Sequence, residues 1–158
     1  MDAFLQQIQN SGFARFVGES GSIWGYPTIL FLHTLGLGAV AGLSAGVDLR
    51  LLGFARGIPL APLDKLFSIM RWGFAISAAS GTALLIADPV TKLHQVVFYV
   101  KLLFVALGVI SMQMIRNRVF RAHSFADDVV PAPARRLAIV SLMFWIGATT
   151  AGRLIAYL

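Results

Sequence analysis

Residues 23–47 read IWGYPTILFLHTLGLGAVAGLSAGV and contain no charged side chain. At about 1.5 Å per residue, a helix of this length crosses the hydrocarbon core of a bilayer with some tilt. Trp24 and Tyr26 suit the membrane–water interface, and Pro27 suits the first turn of a helix, where its missing N–H group is not needed. The stretch therefore predicts a transmembrane helix from about residue 23 to about residue 47.

This predicted helix has two faces that each require a neighbour. On a helical wheel, His33 shares a stripe with Val40, Ser44 and, at its edge, Asp48. The opposite side carries a glycine strip, which consists of Gly38, Gly42 and Gly46. Small residues at every fourth position let two helices in lipid approach closely. We expect the His33 stripe to face the bundle. The glycine strip should meet either another copy of the chain or the second helix, through its small residues Gly73, Ser77 and Gly81.

The composition indicates a polytopic membrane protein with a single membrane domain over residues 1–158. Of the 158 residues, 58% are hydrophobic and 13% are charged. The net charge of +6 does not indicate a nucleic-acid partner, because the basic residues gather at the ends of apolar stretches. The absence of cysteine excludes disulfides, thiolate metal sites and covalent haem attachment.

Three further apolar stretches predict spanning helices at about 72–87, 96–115 and 137–158. Together with the first stretch they predict an all-α fold, a bundle of four transmembrane helices. The second stretch covers only about 24 Å, which is short for a hydrocarbon core of about 30 Å.

In residues 1–22, apolar positions recur near helical spacing, so this segment predicts a short amphipathic helix at the membrane surface.

Lysines and arginines are divided unevenly between the two sides of a four-span bundle. The connections after spans one and three carry nine of them: Arg50, Arg56, Lys65, Arg71, Arg116, Arg118, Arg121, Arg135 and Arg136. The opposite side carries four: Arg15, Lys92, Lys101 and Arg153. By the positive-inside rule, the basic loops are cytoplasmic and both termini are periplasmic in a bacterial inner membrane.

His33 is the main candidate for a functional residue. It lies about 14 Å along the helix from Trp24, too deep for its short side chain to reach water. Ser80 and Thr149 reach the same depth on other spans, and we expect their hydroxyls to serve as its partners. Three interpretations stay open for His33: a structural histidine, the metal ligand of a b-type haem, and a proton relay or donor to a bound ligand.

Haem ligation by two histidines needs a second histidine at the depth of His33. The other histidines of the chain, His94 and His123, fall at the mouth of span three and in the long basic loop. A haem at His33 therefore requires either single-histidine ligation or a homodimer that joins two copies of His33.

Charged residues mark both ends of the predicted bundle. Lys101 and Arg153 fall at the same end as Asp88, which suits either ion pairs or a site for an anion or a quinone head group. At the other end, Asp48 and Arg71 predict an ion pair that joins helices one and two.

Five short motifs stand along the chain: HTLGLG (33–38), DLRLLG (48–53), ADP (87–89), FYVK (98–101) and GRLIAY (152–157). With these motifs, nearly the whole chain resembles a family of small four-helix bacterial membrane proteins carried as a domain of unknown function. The resemblance implies an integral membrane protein and no established activity. A weaker similarity, limited to a histidine followed by glycines in a first span, is to the copper-resistance membrane domain and to small b-type cytochromes. Their additional span histidines are absent here.

These features predict an inner-membrane protein that self-associates and binds a cofactor or lipophilic ligand at a buried polar site. Haem b and quinone are the candidate ligands, which would serve membrane electron transfer. The expected site residues are His33, Ser80, Thr149, Lys101 and Arg153. No catalytic residue is assigned, because the chain has no phosphate loop, paired metal-ligand spacing or nucleophile elbow. The alternatives are a non-enzymatic transporter or proton-conducting bundle, and a structural subunit of a membrane complex.

The charge asymmetry makes a prediction about topology. Reporter fusions after Arg56 and Arg121 should report the cytoplasm, and a fusion after Leu158 should report the periplasm, because lysine and arginine are retained on the cytoplasmic side. A cytoplasmic signal from the fusion at Leu158 would contradict the assigned orientation or the number of spans.

Overall fold

The computed structural model describes residues 2–121, 130–155 and 157, and in these ranges the chain is helical with no strand. Four helices are long and apolar enough to cross a membrane. The all-α, four-helix prediction is confirmed, and the protein is a membrane protein. The helices are α1 (Asp2–Gln9), α2 (Gly12–Glu19), α3 (Tyr26–Leu52), α4 (Leu66–Ala87), α5 (Pro89–His94), α6 (Val96–Ile115) and α7 (Ala132–Leu154).

The first spanning helix, α3, extends beyond the predicted end at residue 47 and includes Asp48. It ends at Gly53, whose φ of 100° lies in the left-handed region that glycine adopts without strain. The N–H groups of Gly53 and Phe54 bond back to carbonyls of the last turn, at 3.1 and 3.0 Å. The acidic residue Asp48 therefore does not stop the helix, which continues to Leu52 and is capped by Gly53.

The second spanning helix, α4, is longer than predicted, with 22 residues and a length of about 33 Å. A 3₁₀ helix, Ala61–Lys65, leads directly into it. The prediction of a short span was therefore wrong, and α4 has the full length of a bilayer core. The third span, α6, has the predicted bounds and continues into a π-helical turn, Arg116–Phe120.

The fourth spanning helix, α7, begins five residues before the predicted start at residue 137. Proline is present in its first turn, where the fixed φ of proline favours a helix start. The predicted end of this span, at residue 158, and the loop residue His123 lie outside the described residues.

The amphipathic segment at the N-terminus forms two short helices, where the sequence predicted one. The second helix, α2, is capped by Ser11, whose hydroxyl accepts a bond from the Ala14 N–H at 3.3 Å. Ala14 and Val17 are almost fully buried, and α2 packs mainly on α4. Phe13 and Phe16 of the same helix remain about half exposed. This segment is therefore attached to the bundle and still presents aromatic side chains outward.

The four spanning helices pack as two pairs. Helix α3 lies mainly against α4, helix α6 lies mainly against α7, and the pairs join where α3 meets α7. Val40 of α3 packs with Trp145 and Ala148 of α7 at this junction. The end of the bundle near Asp48 holds the larger apolar core, which includes Leu51, Phe67, Met70, Ile115 and Ala138.

Helices α3 and α4 approach each other closely at Gly36. A Cβ atom added there would lie 2.6 Å from the Gly73 carbonyl oxygen and 2.8 Å from the Ser77 nitrogen. The glycine strip of α3, in contrast, has no atom within 4 Å of an added Cβ at any of its three positions. The spacing of Gly73, Ser77 and Gly81 on α4 therefore serves the His33 side of α3 and not the glycine strip.

We predict opposite effects for two alanine substitutions in α3. Gly36→Ala should lower the free energy of unfolding by about 1–3 kcal/mol, because the new methyl group meets backbone atoms that move only if the helices separate. Gly42→Ala adds the same methyl group where no described atom of the chain lies within 4 Å, so it should leave the melting temperature of the monomer almost unchanged. Thermal melts of both variants in detergent test the difference, and equal melting temperatures would contradict the packing at Gly36.

Candidate functional site

His33 is held between α3 and α4 by hydrogen bonds to Ser77. Its Nδ1 atom lies 2.8 Å from the Ser77 carbonyl oxygen, which can only accept, so Nδ1 carries the proton and donates it. The Ser77 hydroxyl in turn donates to the His33 carbonyl at 3.3 Å. In a neutral ring this leaves Nε2 with a free lone pair, and no described residue bonds to it. The imidazole is therefore fixed in one orientation with one nitrogen available.

The absence of a side chain at Gly81 makes room for the imidazole ring. A Cβ atom at Gly81 would lie 2.9 Å from the His33 Cε1 atom and 3.1 Å from Nδ1. The ring thus lies directly on the backbone of α4 and is only partly buried. Glycine at residue 81, one helical turn after Ser77, is what allows the hydrogen bond and the ring to fit together.

The hydroxyls expected to pair with His33 bond within their own helices. Ser80 is buried and donates to the Ile76 carbonyl at 2.6 Å. Thr149 is exposed and donates to the Trp145 carbonyl at 2.9 Å. The partner of His33 is Ser77, which the sequence reasoning treated only as a small packing residue. Its presence between two glycines at four-residue spacing was a usable signal, because that spacing places it on the face that meets α3.

Lys101 approaches the same region from α6. Its alkyl chain packs on Gly152 of α7, where an added Cβ would lie 3.7 Å from the lysine Cε atom. Lys101 is also close enough to interact electrostatically with His33. The structure therefore places two of the predicted site residues, His33 and Lys101, within electrostatic range of each other.

The other two charged residues predicted at this end are Arg153 and Asp88. Arg153 is exposed near the end of α7. Asp88 accepts a bond from the Thr91 N–H at 3.4 Å and so caps the short helix α5. Within the described ranges Asp88 forms no ion pair with Lys101 or Arg153. Its carboxylate caps α5 and does not bind the two basic residues that were expected to pair with it.

The predicted ion pair between Asp48 and Arg71 is wrong. Asp48 is fully buried, and neither carboxyl oxygen has a hydrogen-bond partner among the described residues. Arg71 is exposed. The cause is the direction of the two side chains: Asp48 follows Val40 and Ser44 on the buried stripe of α3, whereas Arg71 lies on the outer face of α4.

The described residues form no metal-binding cluster around His33. They contain no group of three or more histidine, aspartate or glutamate side chains that could hold a metal ion. His94 is exposed in α5, and its Nδ1 atom lies 2.6 Å from the Val90 carbonyl oxygen. His33 and His94 of one chain therefore do not form a haem site with two histidine ligands.

No family model, curated protein or solved structure matches this chain. The resemblance to small four-helix bacterial membrane proteins therefore stays a prediction, and the functional argument depends on the geometry of the chain itself.

Proposed function

We propose that this protein binds a lipophilic redox cofactor at His33, with a quinone or quinol head group as the leading candidate, and that it serves electron transfer in the bacterial inner membrane. The observation that carries the proposal is the orientation of His33. The Ser77 carbonyl holds Nδ1 at 2.8 Å, and this leaves Nε2 without a partner among the described residues. A polar atom held available inside an apolar bundle favours a binding role.

A quinol head group matches the two polar groups at this place. Its hydroxyl can donate to Nε2 of His33, and its second oxygen can accept from the Lys101 ammonium group. His33 is only partly buried, so a ligand dissolved in the bilayer can reach it sideways without first entering water. Ser80, Thr149 and Arg153 are proposed as further contacts at the same end of the bundle.

Haem b is the second candidate, and a specific feature of His33 favours it. Metal-ligating histidines usually donate their other ring nitrogen to a carbonyl or carboxylate, as Nδ1 of His33 does to Ser77. Nε2 would then hold the haem iron, which would supply one-electron chemistry. A second histidine ligand would have to come from His33 of another copy.

We further propose a homo-oligomer with α3 at its interface, in the orientation that has both termini in the periplasm. The glycine strip supports the interface, because Gly38, Gly42 and Gly46 leave a surface without side chains on which a second helix can lie closely. The uneven distribution of lysine and arginine supports the orientation.

The ligand proposal predicts the effect of removing either polar group. His33→Leu and Lys101→Met should each raise the Kd for a short-chain quinol about tenfold, since one hydrogen bond contributes roughly 1.4 kcal/mol to binding. Quenching of tryptophan fluorescence in lipid nanodiscs measures this Kd. His94→Gln is the matched control, because His94 is exposed in α5 and should leave the Kd unchanged.

The visible spectrum separates the two candidate cofactors. A Soret band in the purified protein that disappears in His33→Leu would identify haem in place of quinone. A colourless protein whose His33→Leu and Lys101→Met variants bind the quinol as tightly as the parent would refute both candidates at this site.

The oligomer proposal predicts a change in assembly without a change in fold. Gly42→Leu places a bulky side chain on the glycine strip, so it should convert the oligomer mainly to monomer in native mass spectrometry and cross-linking. The helix content and melting temperature of the monomer should stay unchanged, because an added Cβ at Gly42 meets no described atom within 4 Å. A Gly42→Leu variant that keeps the parental assembly would show that the interface lies elsewhere.

A further inference from the structure

The carboxyl group of Asp48 is the most deeply buried ionisable group of the described chain, at 0% exposure. It lies fifteen residues after His33 on α3, about 22 Å away along the helix. Neither of its oxygens has a hydrogen-bond partner among the described residues. This acid belongs to a different site from His33, at the opposite end of the bundle.

Two serine hydroxyls lie near this carboxyl group. Ser141 of α7 and Ser44, one turn earlier on α3, interact with it most directly. The Ser141 hydroxyl is itself fully buried and has no hydrogen-bond partner in the described chain. Two helices therefore direct unpaired polar groups at the same point inside the apolar core.

The positive charges at this end of the bundle are engaged elsewhere or point outward. Arg50 of α3 donates to the Ile58 carbonyl at 2.6 Å, and Arg116, after α6, pairs with Asp64 at 3.7 Å. The remaining seven basic residues of this end are exposed: Arg56, Lys65, Arg71, Arg118, Arg121, Arg135 and Arg136. Within the described ranges, none of these groups forms an ion pair with Asp48.

A carboxylate in this position lacks the positively charged partner that would offset the free-energy cost of removing its charge from water. A protonated carboxyl group carries no charge, and its O–H group can donate to a serine hydroxyl. A bare metal cation is a poorer match, because such ions need many oxygen ligands, and membrane proteins supply them with carbonyls of unwound helices. Here α3 and α7 run unbroken from Tyr26 to Leu52 and from Ala132 to Leu154.

We propose that Asp48, together with Ser44 and Ser141, forms a proton-binding site inside the membrane. The carboxylate takes up one proton and becomes a neutral carboxyl group, which hydrogen-bonds to the serine hydroxyls. Buried acids of this kind mark proton pathways in membrane proteins. The site is independent of the ligand proposed at His33, and either assignment can fail without the other.

Infrared spectroscopy tests the protonation of Asp48 directly. The full-length protein in liposomes should show the C=O stretching band of a neutral carboxylic acid at neutral pH, and this band should be lost at alkaline pH. Asp48→Asn should lack the band at every pH. Ser141→Ala, which keeps the acid, should retain the band at a shifted frequency and serves as the second variant. Absence of the band from the parent protein at neutral pH would overturn the proposal.

Dicyclohexylcarbodiimide provides a second measurement, because it reacts with protonated carboxyl groups in apolar surroundings. Peptide mass spectrometry should find the adduct on Asp48 at neutral pH, and none on Asp64, whose half-exposed carboxylate pairs with Arg116. Replacement of choline chloride by sodium chloride should change neither the adduct nor the infrared band. Loss of both in sodium would identify a sodium site and overturn the assignment to a proton.

Discussion

The close contact between α3 and α4 at Gly36 is the constraint on which the rest of the structure depends. A Cβ atom at Gly36 would lie only 2.6 Å from the Gly73 carbonyl oxygen, so no side chain fits between the two backbones at this point. One and two turns further along α4, Ser77 and Gly81 then meet His33, so the contact that joins the helices also orients the imidazole. In lipid, where helices gain little from hydrophobic burial, such backbone contact and interhelical hydrogen bonds supply much of the association energy.

This contact also determines which stripe of α3 faces the interior. The stripe that begins with His33 continues through Val40 and Ser44 to Asp48, and the last three are buried to 2% exposure or less. One rotation of a single helix therefore turns two ionisable groups towards the neighbouring helices, about 22 Å apart along α3. The first is held by a hydrogen bond to the neighbouring helix. The second lies among serine hydroxyls and has no basic partner in the described chain.

The sequence predicted the architecture well and the polar partners poorly. The long apolar stretches identified four spans, since length and hydropathy alone decide whether a helix can cross a bilayer. The ends of α3 and α4 were placed too far inside the apolar stretches, because charged residues were taken as boundaries that the helices in fact pass. The pairing of Asp48 with Arg71 failed for a related reason: both residues are near one boundary, yet their side chains point in different directions.

By itself, the sequence determined that this is a bundle of four membrane-spanning helices with one histidine deep in the first span, because hydrophobic length and depth along a helix are local properties. Only the tertiary structure decided that Ser77, and not Ser80 or Thr149, holds His33, and that Asp48 has no charged partner among the described residues. Those facts depend on how each helix is rotated about its axis. That rotation follows from which glycines pack together. In the sequence the evenly spaced Gly38, Gly42 and Gly46 form the obvious contact surface, and only the structure shows that Gly36 is the glycine of α3 that meets α4.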